Sequence, residues 1–237
     1  MKKIAIFTEG MTEQLFVLSA LKFLANKQSL YIKRQRLHGG RKFPAMLLDV
    51  GTDEGSPDEC ELFYLLIDCA NDERVVTAIN ENYEKLLSQG YQVILGVRDL
   101  RPDFSIEQLD KLVEMSTKSL PSGDVTPGLV VAVMEAEAWF LAEYGHFTRL
   151  DANLDLEKIR SELNIDLEMR SESFENPAQT LSTIYGLVGL TYTKSNYDVT
   201  RTIDAMDLAE FRLGGVFDRS ESARLLFEHL EQSMRLP

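Results

Sequence analysis

Four short apolar runs, each closed by an acid, constrain what this chain can fold into more than any other feature. Lys3 to Thr8 stops at Glu9-Gly10, Leu62 to Ile67 at Asp68, Tyr91 to Val97 at Asp99, and Leu129 to Met134 at Glu135. Runs of this length bounded by turn residues read as buried strands. Amphipathic stretches separate them. Thr12 can cap a helix whose stripe continues from Leu15 to about Lys27, with Glu13 in its first turn, where a carboxylate suits the helix dipole. Arg74 to Gln89 reads as a helix closed by Gly90, and Ile106 to Leu120 has helical period. Leu30 to Leu37 is strand-like up to Gly39-Gly40. The stretch from 43 to 60 predicts one short helix near Ala45 to Leu48, followed by a loop. Glu135 to Tyr144 reads as a helix. Strands alternating with helices predict an α/β protein with a mostly parallel sheet covered by helices.

After His146 the pattern changes. Leu154 to Leu163, Pro177 to Val188, Asp198 to Leu213 and Ser220 to Met234 all have helical period, so the expected organisation is an α/β domain over 1–145 and a helical region over 146–237 packed on it. The 237 residues are enough to bury a core without staples. Cys60 and Cys69 are then packing residues, since two cysteines can neither build a disulfide framework nor close a four-ligand zinc site. The apolar run at the start is interrupted by Thr8 and Glu9, too early for a secretory leader, and no stretch is long and apolar enough to span a bilayer. The expectation is a cytoplasmic protein with no membrane partner.

In open α/β sheets, ligands bind beyond the carboxyl ends of the strands. If the four strands run parallel, Glu9, Asp68, Asp99 and Glu135 converge on one edge, with Glu13, Asp103 and Glu137 close in sequence. Clustered carboxylates repel each other unless a cation neutralises them, and oxygen ligands suit Mg²⁺ or Mn²⁺. The opposing reading is that acids at strand ends and helix starts serve only as caps. The net charge of −13 argues against a protein that coats nucleic acid, because such binding requires phosphate neutralisation. A local basic strip does exist, made of Lys33, Arg34, Arg36, Arg41 and Lys42. It could position a nucleic-acid backbone, or it could be a charged edge strand that resists pairing.

Three segments carry a family resemblance. Ile6-Phe7-Thr8-Glu9-Gly10-Met11-Thr12-Glu13 resembles the first motif of Toprim domains, those of OLD-type nucleases above all. Val97-Arg98-Asp99-Leu100-Arg101-Pro102-Asp103 is similar to the second motif, normally Asp-x-Asp. Met134 to Ala142, with Glu135-Ala136-Glu137-Ala138-Trp139, resembles the Glu-x-Glu-Ala-Trp signature of an uncharacterised bacterial Toprim-like family, and Asn176-Pro177 and Ile184 to Lys194 resemble that family's helical tail. The resemblance implies a Toprim-like fold, a Mg²⁺ or Mn²⁺ cofactor and phosphoryl transfer on DNA or RNA, with a role in defence against foreign nucleic acid as a further expectation. It implies metal ligands among Glu9, Glu13, Asp99, Asp103, Glu135 and Glu137, with Glu9 and Asp99 catalytic. Lys194, read from its own place in the helical tail, could be a cation for the transition-state phosphate or simply an exposed lysine. Arg101 stands where the second Asp of Asp-x-Asp belongs, which leaves Asp103 as the substitute. OLD-type domains work with an ATPase. No Gly-x-x-x-x-Gly-Lys-Ser/Thr pattern is present, so an ATPase partner would be a separate chain. The alternative is a non-catalytic Toprim-like module that binds a metal or a partner protein.

Overall fold

The computed structural model describes residues 1–26, 28–39, 45–52, 55–70 and 74–235. The elements run β1 (Lys2–Thr8), α1 (Met11–Ala25), β2 (Leu30–His38), β3 (Met46–Thr52), β4 (Leu62–Asp68), α2 (Arg74–Ser88), β5 (Tyr91–Asp99), α3 (Leu109–Ser119) and β6 (Gly128–Ala132). The helices α4 (Glu137–Ala142), α5 (Gly145–Leu150), α6 (Leu156–Leu163), α7 (Pro177–Gly186), α8 (Asn196–Ala205), α9 (Glu210–Leu213), α10 (Val216–Arg219) and α11 (Glu221–Met234) follow. The six strands lie in the order β3-β2-β4-β1-β5-β6. β1 runs parallel to β4 and β5, and β2 parallel to β4; the β2–β3 pair is antiparallel. This is the mostly parallel, helix-flanked α/β architecture that the alternating pattern predicts.

The chain forms two compact units, interleaved in sequence. The first comprises Met1–Arg98, Glu107–Val131 and Phe227–Pro237; the second comprises Asp99–Ile106 and Ala132–Leu226.

In the first unit, strand alternation sorts the side chains into two layers. Ala5, Phe7, Leu65 and Ile67 pack under α2 with Val75, Ile79 and Tyr83. α1 packs against β4, β1 and β2. Its Phe16 meets Phe227 edge to face at 6.3 Å, and the Tyr64 hydroxyl lies 2.8 Å from Ser233 Oγ. The end of the chain is therefore part of the sheet unit's core.

Two expectations are corrected here. Met46–Thr52 is an edge strand, not a short helix followed by a loop. Its pairing with β2 places Leu47 opposite Leu37 and Met46 opposite His38, and this long-range hydrogen bonding outweighs weak local helix preference. The helix expected over Asp198 to Leu213 is broken after Ala205, where Met206 is extended and Asp207 Oδ1 accepts from the Ala209 N–H at 2.9 Å. That side chain offers the backbone a turn in place of a helical bond.

The second unit is helical. α4 packs against α7, α10 and the 3-10 turn Ser171–Ser173, and α5 packs against α8. Trp139 is fully buried and its indole N–H donates to Ser222 Oγ at 2.9 Å, which makes it a core residue.

Candidate functional site

Among the charged groups of the second unit, a cluster gathers around Lys194. Beyond β5 and β6, backbone bonds from the Leu100 N–H to the Ala132 carbonyl and from the Arg101 N–H to the Met134 carbonyl, each 3.0 Å, tie the segment after Asp99 to the one before Glu135. Asp99 Oδ1 then accepts from the Ala136 N–H at 3.1 Å. Lys194 donates to Glu135 Oε1 at 2.8 Å. Its Nζ also stands 3.1 Å from Glu137 Oε2, close enough for ion pairing but out of line for a hydrogen bond. The Tyr192 hydroxyl donates to Glu137 Oε1 at 2.9 Å, and Glu135 Oε2 accepts from the Ala178 N–H at 3.3 Å.

Depth separates the roles within this cluster. The Glu137 side chain is 0% exposed, Glu135 24% and Lys194 41%. Burial pushes the Glu137 carboxyl above the ordinary range, with Lys194 opposing the rise and Glu135 adding to it. Burial pulls Lys194 down, yet the Glu137 and Glu135 carboxylates outweigh it and hold the ammonium above its ordinary value. The result is a charged lysine facing outward from a buried acid, with one accessible carboxylate beside it.

Backbone strain marks the same place. Among the described residues, five that are not glycine have positive φ: Asn26, Ala70, Met134, Asn164 and Lys194. The two asparagines cap α1 and α6, a role in which Asn tolerates this conformation. Of the other three, Met134 (φ 70°) precedes Glu135 and Lys194 (φ 55°) is itself in the cluster. Such conformations persist only where their surroundings hold them, and they gather at functional sites. The Lys194 turn is held by Asp198, whose Oδ2 accepts from the Thr193 N–H, Thr193 Oγ1 and Ser195 Oγ at 2.7 to 2.9 Å. Sequence reasoning missed Asp198 as the organiser of this turn. A Ser-x-x-Asp spacing ahead of an apolar stripe was the available signal.

Of the remaining acids, Glu9, Glu13 and Asp68 belong to the first unit and Asp103 to the second. Glu9 is buried, and its N–H donates to the Val97 carbonyl at 3.0 Å. Glu13 Oε2 accepts from the Gly10 N–H at 2.7 Å, so this carboxylate closes the N-terminus of α1. Asp68 accepts from the Ala70 N–H at 2.7 Å and pairs with Arg36 at 3.3 Å; burial still raises its pKa. β1 lies between β4 and β5 in the sheet, so Asp68 does not end a strand adjacent to that of Asp99. Asp103 is exposed on the turn that follows β5.

Of the basic strip, the described residues Lys33, Arg34 and Arg36 do not all share one face of the sheet. Alternation along β2 sends Lys33 to the α2 face, where it pairs with Asp49 at 2.9 Å, and sends Arg34 and Arg36 to the other face. Arg41 and Lys42 lie outside the described residues. Of the histidines, His146 is fully buried in the second unit, Nδ1–H donating to the Glu143 carbonyl and Nε2 lying 3.1 Å from the Tyr185 hydroxyl. This is a core network, not a ligand set.

Among the described residues, no group of three or more His, Cys, Asp or Glu side chains is arranged to hold a metal ion. The physical reason lies in the second unit: the cation that neutralises Glu135 and Glu137 there is the Lys194 ammonium. Within the second unit, Asp99, Asp103, Glu135 and Glu137 as arranged do not form a cage for Mg²⁺ or Mn²⁺.

The class defined by this fold is a helix-flanked, mostly parallel α/β protein. No protein-family model matches the chain, and no curated protein matches it.

Proposed function

We propose that the cluster around Lys194 is the working centre of a Toprim-like phosphoryl-transfer enzyme, a nuclease acting on DNA or RNA. The observation that carries this reading is the accessible Glu135–Lys194 pair, built on a fully buried Glu137 and a strained backbone at both Met134 and Lys194. Burying a carboxylate costs several kcal/mol even after relaxation, and folding alone does not need one here. The exposed ammonium suits the charge that develops on a transferring phosphoryl group. Glu135, part-exposed beside it, is the carboxylate in reach of a substrate proton. Glu137, Tyr192 and Asp99 position these two. A divalent cation, Mg²⁺ or Mn²⁺, belongs to this proposal as cofactor, although the acids of the second unit as arranged do not form its cage.

A second reading has its own support. Lys194 already neutralises both glutamates, Arg101 replaces an expected acid, and the net charge is −13. These favour a non-catalytic module that recruits a partner, such as a separate ATPase.

The test is Mn²⁺ titration calorimetry combined with cleavage assays on single- and double-stranded DNA and RNA. It compares the intact chain with Lys194→Met, Glu135→Gln and Asp99→Ala. The enzyme reading expects stoichiometric Mn²⁺ binding lost in Asp99→Ala, and cleavage reduced at least 100-fold in Lys194→Met. An intact chain that neither binds Mn²⁺ nor cuts any of the substrates leaves only the module.

A further inference from the structure

The face of the sheet under α2 is incompletely covered. α2 packs on β1, while β2 and β3 extend beyond it towards the edge of the sheet. Between this helix and the outer strands lies a cavity of about 470 Å³, entirely within the first unit. Its floor is apolar: Leu47, Phe63, Leu65, Ile67, Leu86 and Tyr91. Phe63 and Tyr91 meet edge to face at 6.3 Å, so two aromatic rings form one wall.

The rim has a different character. Lys3, Lys33 and Lys85 line it, together with the amides of Gln35, Asn82 and Gln89, and among the described residues that line it none is acidic. That reverses the balance of a chain with 38 Asp and Glu against 25 Lys and Arg. Lys33 shares its charge with Asp49 at 2.9 Å. Lys3 donates to the neutral Gln89 carbonyl at 3.0 Å and lies 6.0 Å from the Tyr91 ring centre, so no carboxylate in these contacts cancels its charge. Lys85 stands in the last turn of α2.

We propose that this cavity binds a small amphiphilic anion: an apolar or aromatic body held on the Phe63–Tyr91 floor, with one phosphate, sulfonate or carboxylate head held by the three lysines. The volume lies within the range of small-molecule sites, roughly 300–1,000 Å³, and an apolar lining with a few convergent polar groups is their usual composition. Three ammonium groups around a partly dry cavity also concentrate anions that the rest of this acidic chain repels. The site lies apart from the Lys194 cluster in sequence and in unit, so it stands or falls independently of the proposed enzyme activity.

The probe is 8-anilinonaphthalene-1-sulfonate, an aromatic sulfonate whose fluorescence rises in an apolar site. Saturable binding at one site is expected, weakened at least tenfold by Lys85→Glu combined with Lys3→Glu, weakened by added salt, and unchanged by Lys111→Glu on α3. Far-UV circular dichroism establishes that each variant is folded. Displacement by adenosine 5′-monophosphate assigns the ligand to nucleoside phosphates, and displacement by decanoate assigns it to acyl carboxylates. Absence of saturable binding, binding indifferent to the double charge reversal, or displacement by neither anion overturns the proposal.

Discussion

His146 shows how a buried side chain turns packing into pH dependence. It is 0% exposed, and its pKa is lowered from 6.5 to about 4, first by burial and then by the charge of Arg149, while the bond to the Glu143 carbonyl opposes the shift. Below pH 6.5 the unfolded chain takes up a proton that the folded one refuses, so stability falls as pH drops from 6.5 towards 4. At about 1.4 kcal/mol per unit, the loss is roughly 3 kcal/mol. Urea unfolding at pH 7, 6, 5 and 4 should therefore show the intact chain losing about that much more than His146→Gln; parallel curves would mean that His146 titrates normally. Glu137 has the opposite sign: its raised pKa favours the folded state at low pH and costs stability as pH rises. Comparing variant with intact chain cancels that common contribution. The acids were legible as residue types at strand ends. Their individual fates were not, because whether a carboxylate caps a helix, as Glu13 does, or faces a lysine, as Glu135 does, depends on a partner far along the chain.

At the scale of elements, the strongly periodic segments formed as the sequence predicts, and the errors fell where periodicity was weak. α2 and α3 follow the amphipathic stripes closely. β3 was misread because its Leu-Leu-Asp-Val core is short and its identity comes from pairing with β2, an interaction no local window contains. Gly96, inside β5, is an element-level constraint of the same kind. A Cβ there would stand 2.9 Å from Leu129 Cδ1, 3.0 Å from Val75 Cγ1 and 3.1 Å from Ile79 Cδ1. Its small size lets α2 approach the sheet. Gly96→Ala is expected to destabilise the protein by about 1–3 kcal/mol through overpacking, read as a lower urea midpoint with an unchanged slope. A midpoint within error of the intact chain would show that the α2 contact relaxes freely.

For the whole molecule, the division into units is the feature least visible in the sequence. α11 reads as one helix, yet Glu221–Leu226 belongs to the second unit and Phe227 onward to the first. Phe227, Leu230 and Met234 are buried, and Ser233 meets Tyr64. Losing three large core side chains, at about 2–5 kcal/mol each, is comparable with the typical stability of a whole domain, about 5–15 kcal/mol. Deleting 227–237 should therefore leave the sheet unit unfolded, seen as lost cooperative melting and rapid proteolysis within residues 1–98. A deletion variant that melts like the intact chain would show that the sheet does not depend on this segment.

The sequence by itself determined every strand but β3, most of the helices and the mostly parallel character of the sheet, because hydrophobic periodicity is a local property set by backbone geometry. It also carried every residue of the Lys194 cluster, as Glu135-x-Glu137 and a distant lysine. Only the tertiary structure decided that Lys194 takes the place of a cation between them, that Asp198 holds the turn presenting it, and that the described part of the basic strip splits across two faces. Each of these depends on which distant segments meet, and burial then sets the charge state of what they bring together.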